Sequence, residues 1–237
     1  MPGRGQHQVD NGRVADQTPA AAGSLLLKEI EGIGDSKLTR LHRRGEVIFA
    51  EGQRARGISV LRSGRAKVSI SSSEGKVLIL RIEQAGAILG VNAVLRNTTY
   101  DLTVRTIESC RTDYIPRAAF MALLGKSEQA RIGLAETLSR ELTGMIERAK
   151  SLFLPQNTGE KLARLLVEWC DEWGEVEPRG TRLHNHFTQE EMAQMIGASR
   201  ETVTRLLGHF SKRRLIQLEP NTIIVKDREA LETVPLL

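Results

Sequence analysis

The chain has 237 residues, 40% of them hydrophobic, and a formal net charge of +5. This is enough for two modest domains with real cores. No apolar run is long enough to span a bilayer, and the N-terminus lacks a signal-peptide core. We therefore expect a cytoplasmic protein without a membrane partner. Cys110 and Cys170 have no metal-binding or redox spacing, so we expect no disulfide, no iron–sulfur centre and no cofactor.

The N-terminal half predicts a tail followed by a sheet-rich domain. Residues 1–24 are rich in Gly, Pro, Gln and Ala, which indicates a flexible tail. From about Leu41, within a domain expected over 25–126, short β-prone runs are separated by glycine turns: Val47–Phe49, Ile58–Leu61, Ala66–Ile70, Val77–Leu80 and Thr103–Thr106. This spacing predicts a small antiparallel barrel or roll.

A long helix is expected next, over 127–154, after a short helix opened by Pro116. Its apolar residues are spaced 3, 4, 3, 4, 3, as in the seam of a two-stranded coiled coil: Ala135, Leu138, Leu142, Met145, Ala149 and Leu152. We expect this seam to form a homodimer. The alternative is a helix that packs only on its own domain.

The segment Leu154–Gly159 is expected to be a hinge that opens a C-terminal domain over 155–237. A helix from Glu160 to about Trp173 follows, with a buried stripe of Leu162, Leu165, Leu166 and Trp169. His184 and His186 place two imidazoles on one face of a strand, but this pair alone is weak support for a metal site, and we predict no metal.

Residues 187–207 predict a helix-turn-helix that reads DNA. Thr188 and Glu191 fit a capping box, Gly197 permits the turn, and Ser199 is a second N-cap candidate. The second helix then presents Arg200, Glu201 and Arg205 on its polar face, the residue types that recognise base edges in the major groove.

A β-hairpin should follow the recognition helix, since Leu215–Leu218 and Thr222–Val225 flank a Glu219-Pro220-Asn221 turn. This is the wing of a winged helix. From Arg179 to Lys226 the chain has eight basic and four acidic residues. Such a surplus suits contact with phosphates and double-stranded DNA as the partner.

This layout resembles the catabolite activator/FNR (Crp/Fnr) family over about Leu41 to Leu231. The resemblance implies an α+β fold: a cyclic-nucleotide-binding-like β-roll, a long dimerisation helix and a C-terminal winged helix-turn-helix. The run Ser199–Arg205 is very similar to the family's catabolite activator helix, which reads a TGTGA half-site. The resemblance assigns base reading to Arg200, Glu201 and Arg205, and phosphate contact to Thr188, Ser199 and Thr202.

The roll departs from the family at its nucleotide pocket. Cyclic-nucleotide binders follow a glycine, here Gly90, with a glutamate for the ribose, and this chain has Val91. Where they place an arginine for the phosphate, it has Tyr100 or Asp101. Since neither can grip a phosphate as an arginine does, we expect a degenerate pocket, also lined by Asn92, that does not bind cyclic AMP well.

The effector stays open: another small ligand, a protein partner, or constitutive DNA binding. RNA polymerase is an expected partner, through surface loops such as Glu175 to Asn185. A different reading is a signalling adaptor whose winged helix is an interaction module. Catalysis is not expected, because no phosphate-cradling glycine loop or nucleophile elbow appears. Cys110 or Cys170 would sense oxidants only if exposed and of low pKa.

Overall fold

The computed structural model describes residues 25–153, 157–184 and 187–232. The expected tail over 1–24, the hinge residues 154–156, the pair Asn185 and His186, and the side chain of Leu152 lie outside the described residues. The fold is α+β, with a two-sheet roll, a long helix and a winged helix-turn-helix, as expected from the sequence.

The roll consists of two four-stranded antiparallel sheets with strand orders β1-β8-β3-β6 and β2-β7-β4-β5. The strands are β1 Leu38–His42, β2 Val47–Phe49, β3 Gly57–Ser63, β4 Ala66–Ser71, β5 Val77–Glu83, β6 Ile88–Leu89, β7 Thr103–Thr106 and β8 Cys110–Pro116. The five predicted runs lie in β2, β3, β4, β5 and β7. Strands β1, β6 and β8 were not predicted, and the roll begins at Leu38 rather than Leu41.

In the described part of the chain, four helices accompany the strands of the roll. They are α1 Leu25–Glu31, α2 Val91–Arg96, α3 Arg117–Lys126 and α4 Glu128–Phe153, with a 3₁₀ turn at Gly34–Ser36. Helix α4 begins at Glu128 because Ser127 stands before it as a cap, accepting the Ala130 amide at 3.0 Å. Side chains of α1 and α3 share one core with the strands, and its largest fully buried members include Leu26, Ile30, Ile58, Ile115 and Phe120.

Strand β8 also buries a charge. Asp113 is 6% exposed and accepts hydrogen bonds from Arg62 Nε and Thr39 Oγ1, both at 2.7 Å. Burial alone would raise the pKa of Asp113, but these two partners outweigh it and lower the pKa. The ion pair thus allows a carboxylate inside an otherwise apolar face.

The C-terminal part is a winged helix. Its elements are α5 Thr158–Trp173, β9 Glu175–Glu177, β10 Gly180–His184, α6 Gln189–Ile196, α7 Arg200–Lys212, β11 Ile216–Glu219, β12 Thr222–Val225 and α8 Arg228–Glu232. The predicted wing hairpin is β11 and β12, joined by Pro220 and Asn221, inside a sheet of order β11-β12-β10-β9. Asn221 has φ 55, which suits its place in a tight turn.

The core of the winged helix includes two residues of the roll. The predicted α5 stripe is buried, and Trp169 stacks on Phe187 with ring centroids 4.8 Å apart. Ile79 of β5 and Ile107 after β7 belong to the same buried cluster. The roll and the winged helix therefore share a hydrophobic contact. Within the described ranges, no helix combines the length and the apolar character needed to cross a membrane.

Candidate nucleic-acid interface

The first helix of the predicted helix-turn-helix begins with the expected capping box. Thr188 Oγ1 accepts the Glu191 amide at 3.1 Å, and the Glu191 carboxylate accepts the Thr188 amide at 2.8 Å. Gly197 ends α6 at φ 67, a left-handed conformation that glycine adopts without a steric penalty. The start and the end of α6 are therefore fixed by the residues that the sequence indicated.

Helix α7 begins at a second cap. Ser199 Oγ accepts the Thr202 amide at 3.2 Å and lies 3.0 Å from Thr202 Oγ1. Ser199 and Thr188 are exposed and Thr202 is half-buried. These three hydroxyls, which the family resemblance assigns to phosphate contact, thus lie at the N-terminal ends of α6 and α7, where the helix dipole also favours an anion.

The two faces of α7 differ sharply. Val203, Leu206, Leu207 and Phe210 are buried in the domain core. Arg200, Glu201 and Arg205 are all exposed, and neither arginine has an ion pair or a side-chain hydrogen bond within the described part of the chain. The structure therefore places the three predicted base-reading residues on the exposed face of α7, with both guanidinium groups unpaired among the described residues.

Glu201 remains a carboxylate at neutral pH. A hydrogen bond from its own backbone amide, followed by one from Ser199, lowers the pKa of its side chain. An ionised carboxylate is only a hydrogen-bond acceptor. At this position it can accept from a base amino group but cannot donate.

A contact between the two helices was missed by the sequence reasoning. Thr204 Oγ1 donates to Gln189 Oε1 at 2.5 Å and lies 2.9 Å from the Arg200 carbonyl oxygen. Gln189 is the first residue of α6 and Thr204 lies one turn into α7. This hydrogen bond fixes the angle at which α7 leaves the turn, so Gln189 positions the recognition residues.

An ion pair joins α6 to the roll. Lys67 of β4 donates to Glu191 at 2.6 Å, and both side chains are largely buried. Burial alone would raise the pKa of Glu191, but the Lys67 bond and the Thr188 amide outweigh it and lower the pKa. The residue that caps the DNA-reading motif is thus also held by the sensor domain, a contact that no local sequence signal predicts.

Helix α4 contributes a further link. The Arg148 guanidinium donates to the backbone oxygens of Ile79 in β5, at 2.7 Å, and of Met195 in α6. Burial lowers the pKa of Arg148. One side chain of the long helix therefore bridges the roll and the helix-turn-helix.

The predicted seam of α4 is mostly uncovered in the single chain. Leu142 and Met145 are 61% and 52% exposed, and Ala135 and Ala149 are also exposed. Leu138 differs, because it is half-buried against the core of the roll. Ile146 is 48% exposed beside the seam and was not predicted. The exposed apolar stripe along α4 is what a partner helix would cover.

The predicted nucleotide pocket is occupied by the chain's own side chains. Val91 is 1% exposed, directly after Gly90. Asn92 donates to Asp101 at 3.0 Å, and Arg96 lies 3.5 Å from the same carboxylate oxygen. The charge of Asp101 is therefore already paired within the chain.

Tyr100 closes the space above Gly90, which has φ 85. A Cβ on Gly90 would lie 2.7 Å from a ring carbon of Tyr100. The ring stacks on Phe49 with centroids 3.9 Å apart, and its hydroxyl donates to the Gly57 carbonyl at 2.5 Å. Burial raises the pKa of Tyr100 to about 12, so it stays neutral. Of the four predicted pocket residues, the structure brings Asn92 and Asp101 into contact.

The remaining candidate residues have structural roles or weak geometry. Burial raises the pKa of the Cys110 thiol, and it raises that of Cys170 to about 11, so neither is a reactive thiolate at neutral pH. His184 pairs with Glu175 at 3.4 Å. Over the described ranges, no three His, Cys, Asp or Glu side chains gather as metal ligands.

The segment expected to be a polymerase-contacting loop is a hairpin as far as His184. Strands β9 and β10 pair, and Arg182 donates to Glu177 at 2.8 Å across them. Val176 is 89% exposed on this hairpin. The segment is thus a paired hairpin as far as His184 rather than an irregular loop.

Two family models match the chain. A cyclic nucleotide-binding domain model matches residues 39–127, and a Crp-like helix-turn-helix domain model matches residues 160–234. Together with the fold, they define a regulator in which a nucleotide-binding-type roll is joined to a winged-helix DNA-binding domain. The chain belongs to the Crp/Fnr family of transcriptional regulators, and it is a DNA-binding regulator.

Similar proteins include regulators of different inputs. The CRP-like cAMP-activated global transcriptional regulator of Mycobacterium tuberculosis is 27% identical over 188 residues, 79% of this chain and 84% of that protein. The fumarate and nitrate reduction regulatory protein of Yersinia pestis is 25% identical over 191 residues, 80% of this chain and 75% of that protein. The c-di-GMP responsive regulator CLP of Xanthomonas campestris superposes with TM-score 0.74 at 21% identity, over 84% of this chain and 98% of that one, which shows the shared fold.

Proposed function

We propose that the protein binds a palindromic TGTGA-like operator as a homodimer, and that cyclic AMP does not control it. The observation that carries this proposal is the outer face of α7. Arg200, Glu201 and Arg205 stand there together, exposed and without competing ion pairs within the described residues. The caps at Thr188 and Ser199 hold the helices that present them.

The side-chain chemistry fits the bases of such a half-site. An arginine donates to both acceptors on the major-groove edge of guanine, and an ionised glutamate accepts from the cytosine amino group. Each good pair contributes roughly 1–3 kcal/mol of discrimination. Arg200 and Arg205 would read guanines and Glu201 a cytosine, while Thr188, Ser199 and Thr202 contact phosphates and set the register.

The exposed stripe on α4 supports a homodimer. Burying a leucine or methionine side chain stabilises an interface by about 1.5–3 kcal/mol, and Leu142, Met145 and Ile146 are each about half exposed or more. A two-fold axis along α4 places two copies of α7 on one face of DNA, as a palindrome requires, about one helical turn or ~34 Å apart.

The predicted nucleotide pocket around Gly90, Val91, Tyr100 and Asp101, called the cradle below, is filled by the chain's own side chains. This supports independence from cyclic AMP. Val91 cannot accept a hydrogen bond from a ribose hydroxyl, and neither Tyr100 nor Asp101 can donate the paired hydrogen bonds with which an arginine holds a phosphate. Tyr100 lies where a ligand would approach Gly90. The M. tuberculosis relative is described as cAMP-activated, so the comparison of these two proteins is a direct test of what the substituted residues do.

We also propose RNA polymerase as a partner of this protein. Strand β9 is the edge strand of the winged-helix sheet, and its Val176 is almost fully exposed. An exposed valine on an edge strand is a suitable contact point for a protein, and we assign the polymerase contact to the β9–β10 hairpin.

The test is fluorescence anisotropy on a palindromic TGTGA-type duplex and on a scrambled duplex, each with and without excess cyclic AMP. We expect selective binding without nucleotide, falling steeply with added salt. Arg200→Ala should weaken binding to the palindrome by about 10- to 100-fold and reduce selectivity. Arg111→Ala, an exposed arginine of the roll, is the control and should change affinity little.

The results separate the parts of the proposal. Selectivity that appears only with cyclic AMP would keep the DNA-reading role and overturn the argument about the cradle. Equal binding to both duplexes in both conditions would show that the TGTGA-like sequence is not the operator. If Arg200→Ala binds the palindrome as tightly as the wild-type protein does, α7 is not the helix that reads the bases.

A further inference from the structure

A second cavity lies between the two sheets of the roll. It has a volume of about 330 Å³ and is bordered by residues of β1, β2, β3 and β8. Of the predicted pocket residues only Tyr100 borders it, so it is distinct from the filled cradle at Val91 and Asp101. Its size is at the lower end of the range for small-molecule sites.

The inner wall of this cavity carries buried hydroxyl groups. His42 Nε2 lies 3.0 Å from Thr112 Oγ1, so these two side chains satisfy each other. Ser59 is 4% exposed and borders the cavity, yet its hydroxyl has no hydrogen-bond partner in the part of the chain that the structure describes. This hydroxyl borders the cavity, so it is available to a ligand as a donor or an acceptor.

The rim of the cavity is strongly basic. Arg40, Arg54 and Arg56 border it, and no acidic residue does. Among the described residues Arg40 and Arg56 have no ion pair, while Arg54 donates only to the neutral Asn97 side chain at 3.0 Å. Three arginine charges around one opening, without a carboxylate to balance them, favour an anion.

Aromatic rings form two sides of this cavity. Tyr100 stacks on Phe49, and the Arg40 guanidinium lies 5.0 Å from the centroid of the Tyr114 ring. The Tyr100 hydroxyl is already engaged with the Gly57 carbonyl, so this residue offers its ring rather than a donor. Rings on two sides favour a flat, compact ligand.

We propose that this cavity binds a small organic anion: a carboxylate or phosphate monoester on a compact ring. The anionic group meets Arg54 and Arg56 at the rim, the ring lies against Tyr114 and Tyr100, and a polar edge reaches Ser59. The proposal concerns ligand binding alone, so it stands or fails separately from the operator and from the cyclic AMP argument.

The test is a ligand-observed NMR titration of the purified full-length protein, without DNA, using phenyl phosphate and benzoate as probes. Phenol and inorganic phosphate are the comparison ligands. We expect saturable binding of at least one probe below about 10 mM, where even a binder with a Kd near 1 mM is saturated. Phenol and inorganic phosphate should each bind at least about tenfold more weakly.

Variants locate the site. Arg54→Gln with Arg56→Gln should weaken probe binding by at least about tenfold, and Ser59→Ala by several-fold. Arg111→Gln, which removes an exposed charge from β8 away from the cavity, should leave binding unchanged. The thermal unfolding of each variant is recorded first, so that only folded variants are compared.

Three results would overturn the proposal. The first is no saturable binding of either probe by the wild-type protein. The second is equal affinity for inorganic phosphate and both probes, which would exclude an organic ligand. The third is unchanged binding by the folded Arg54 and Arg56 variant, which would place the ligand elsewhere.

Discussion

Helices α7 and α2 both begin at positions where a family member binds an anion, but the chain treats them differently. At α7 Ser199 forms the cap by accepting the Thr202 amide, and the exposed arginines beyond it have no ion pairs among the described residues. At α2 the equivalent space is closed by Tyr100, and Asp101 pairs with Asn92 and Arg96.

The contrast teaches that a helix N-terminus is a binding site only when its neighbours leave their polar groups unused. The backbone amides and the helix dipole are present at both helices. What differs is whether side chains already satisfy or block them. Variants of four regions test this difference.

The largest effect should come from the dimer seam. Leu142→Glu with Met145→Glu puts charges on the exposed stripe of α4, so two chains would repel each other across the seam. Because two linked reading helices bind together, we expect DNA affinity to fall by at least about a hundredfold. Sedimentation equilibrium and anisotropy measure the two consequences.

Val176→Glu is the control for this pair, since it also adds a charge at an exposed apolar residue but lies on the β9–β10 hairpin. It should leave both the mass and the DNA affinity unchanged. If the variant with Leu142→Glu and Met145→Glu is still a dimer, α4 is not the interface.

Arg205→Ala should have the next largest effect. Removal of one arginine that reads a guanine should cost about 1–3 kcal/mol and relax selectivity at that base pair alone. Anisotropy on duplexes substituted at each position of the half-site measures it. A uniform loss at all positions would indicate a phosphate contact instead, and the same analysis of Arg200→Ala provides the matched comparison.

Glu191→Gln should lower stability by about 1–2 kcal/mol at neutral pH, because the charged bond to Lys67 is lost. Since the folded-state pKa of Glu191 is lowered, its contribution is present above about pH 4.3, the usual pKa of an unfolded glutamate, and is lost as pH falls through the folded-state pKa. Urea unfolding followed by Trp169 and Trp173 fluorescence measures this difference.

The exposed Glu190 gives the matched control for that experiment. Glu190→Gln removes a charge one residue away, where no ion pair exists among the described residues, and should change stability little at any pH. If the wild-type protein is still more stable than Glu191→Gln at low pH, the charged bond between Glu191 and Lys67 is not the source of the difference.

Of these changes, Val91→Glu should have the smallest effect, because we expect it not to create a binding site for cyclic AMP. It restores the acid that cyclic-nucleotide binders carry, but Tyr100 still covers Gly90, and neither Tyr100 nor Asp101 can hold a phosphate as an arginine does. We expect no calorimetric signal from cyclic AMP. A clear gain of binding from this one change would show that the cradle is open and that Val91 alone disables it.

Local patterns predicted the helix-turn-helix well. The spacing of Met192, Ile196, Val203 and Leu206 indicated two amphipathic helices, and the capping residues Thr188 and Ser199 lie within a few residues of the amides they bind. The five β-prone runs of the roll were identified for the same reason. Each depends on interactions between near neighbours in the chain.

Strand β8 shows why other elements were missed. Its two faces are covered by different parts of the protein, so it has no simple alternation of polar and apolar residues. Asp113 looks like a surface residue in the sequence, and its partners Arg62 and Thr39 are far away along the chain. Burial of such a strand is decided by long-range contacts.

The sequence by itself determined the class of protein, the helix α7 with Arg200, Glu201 and Arg205 on its polar face, and the absence of a glutamate after Gly90, where Val91 stands. These features follow from residue type and short-range spacing. Only the tertiary structure decided that Tyr100 closes the cradle, that Lys67 holds Glu191, and that Ser59 and three arginines border a separate cavity. Those side chains come together through sheet pairing and domain packing, which bring distant residues within bonding distance.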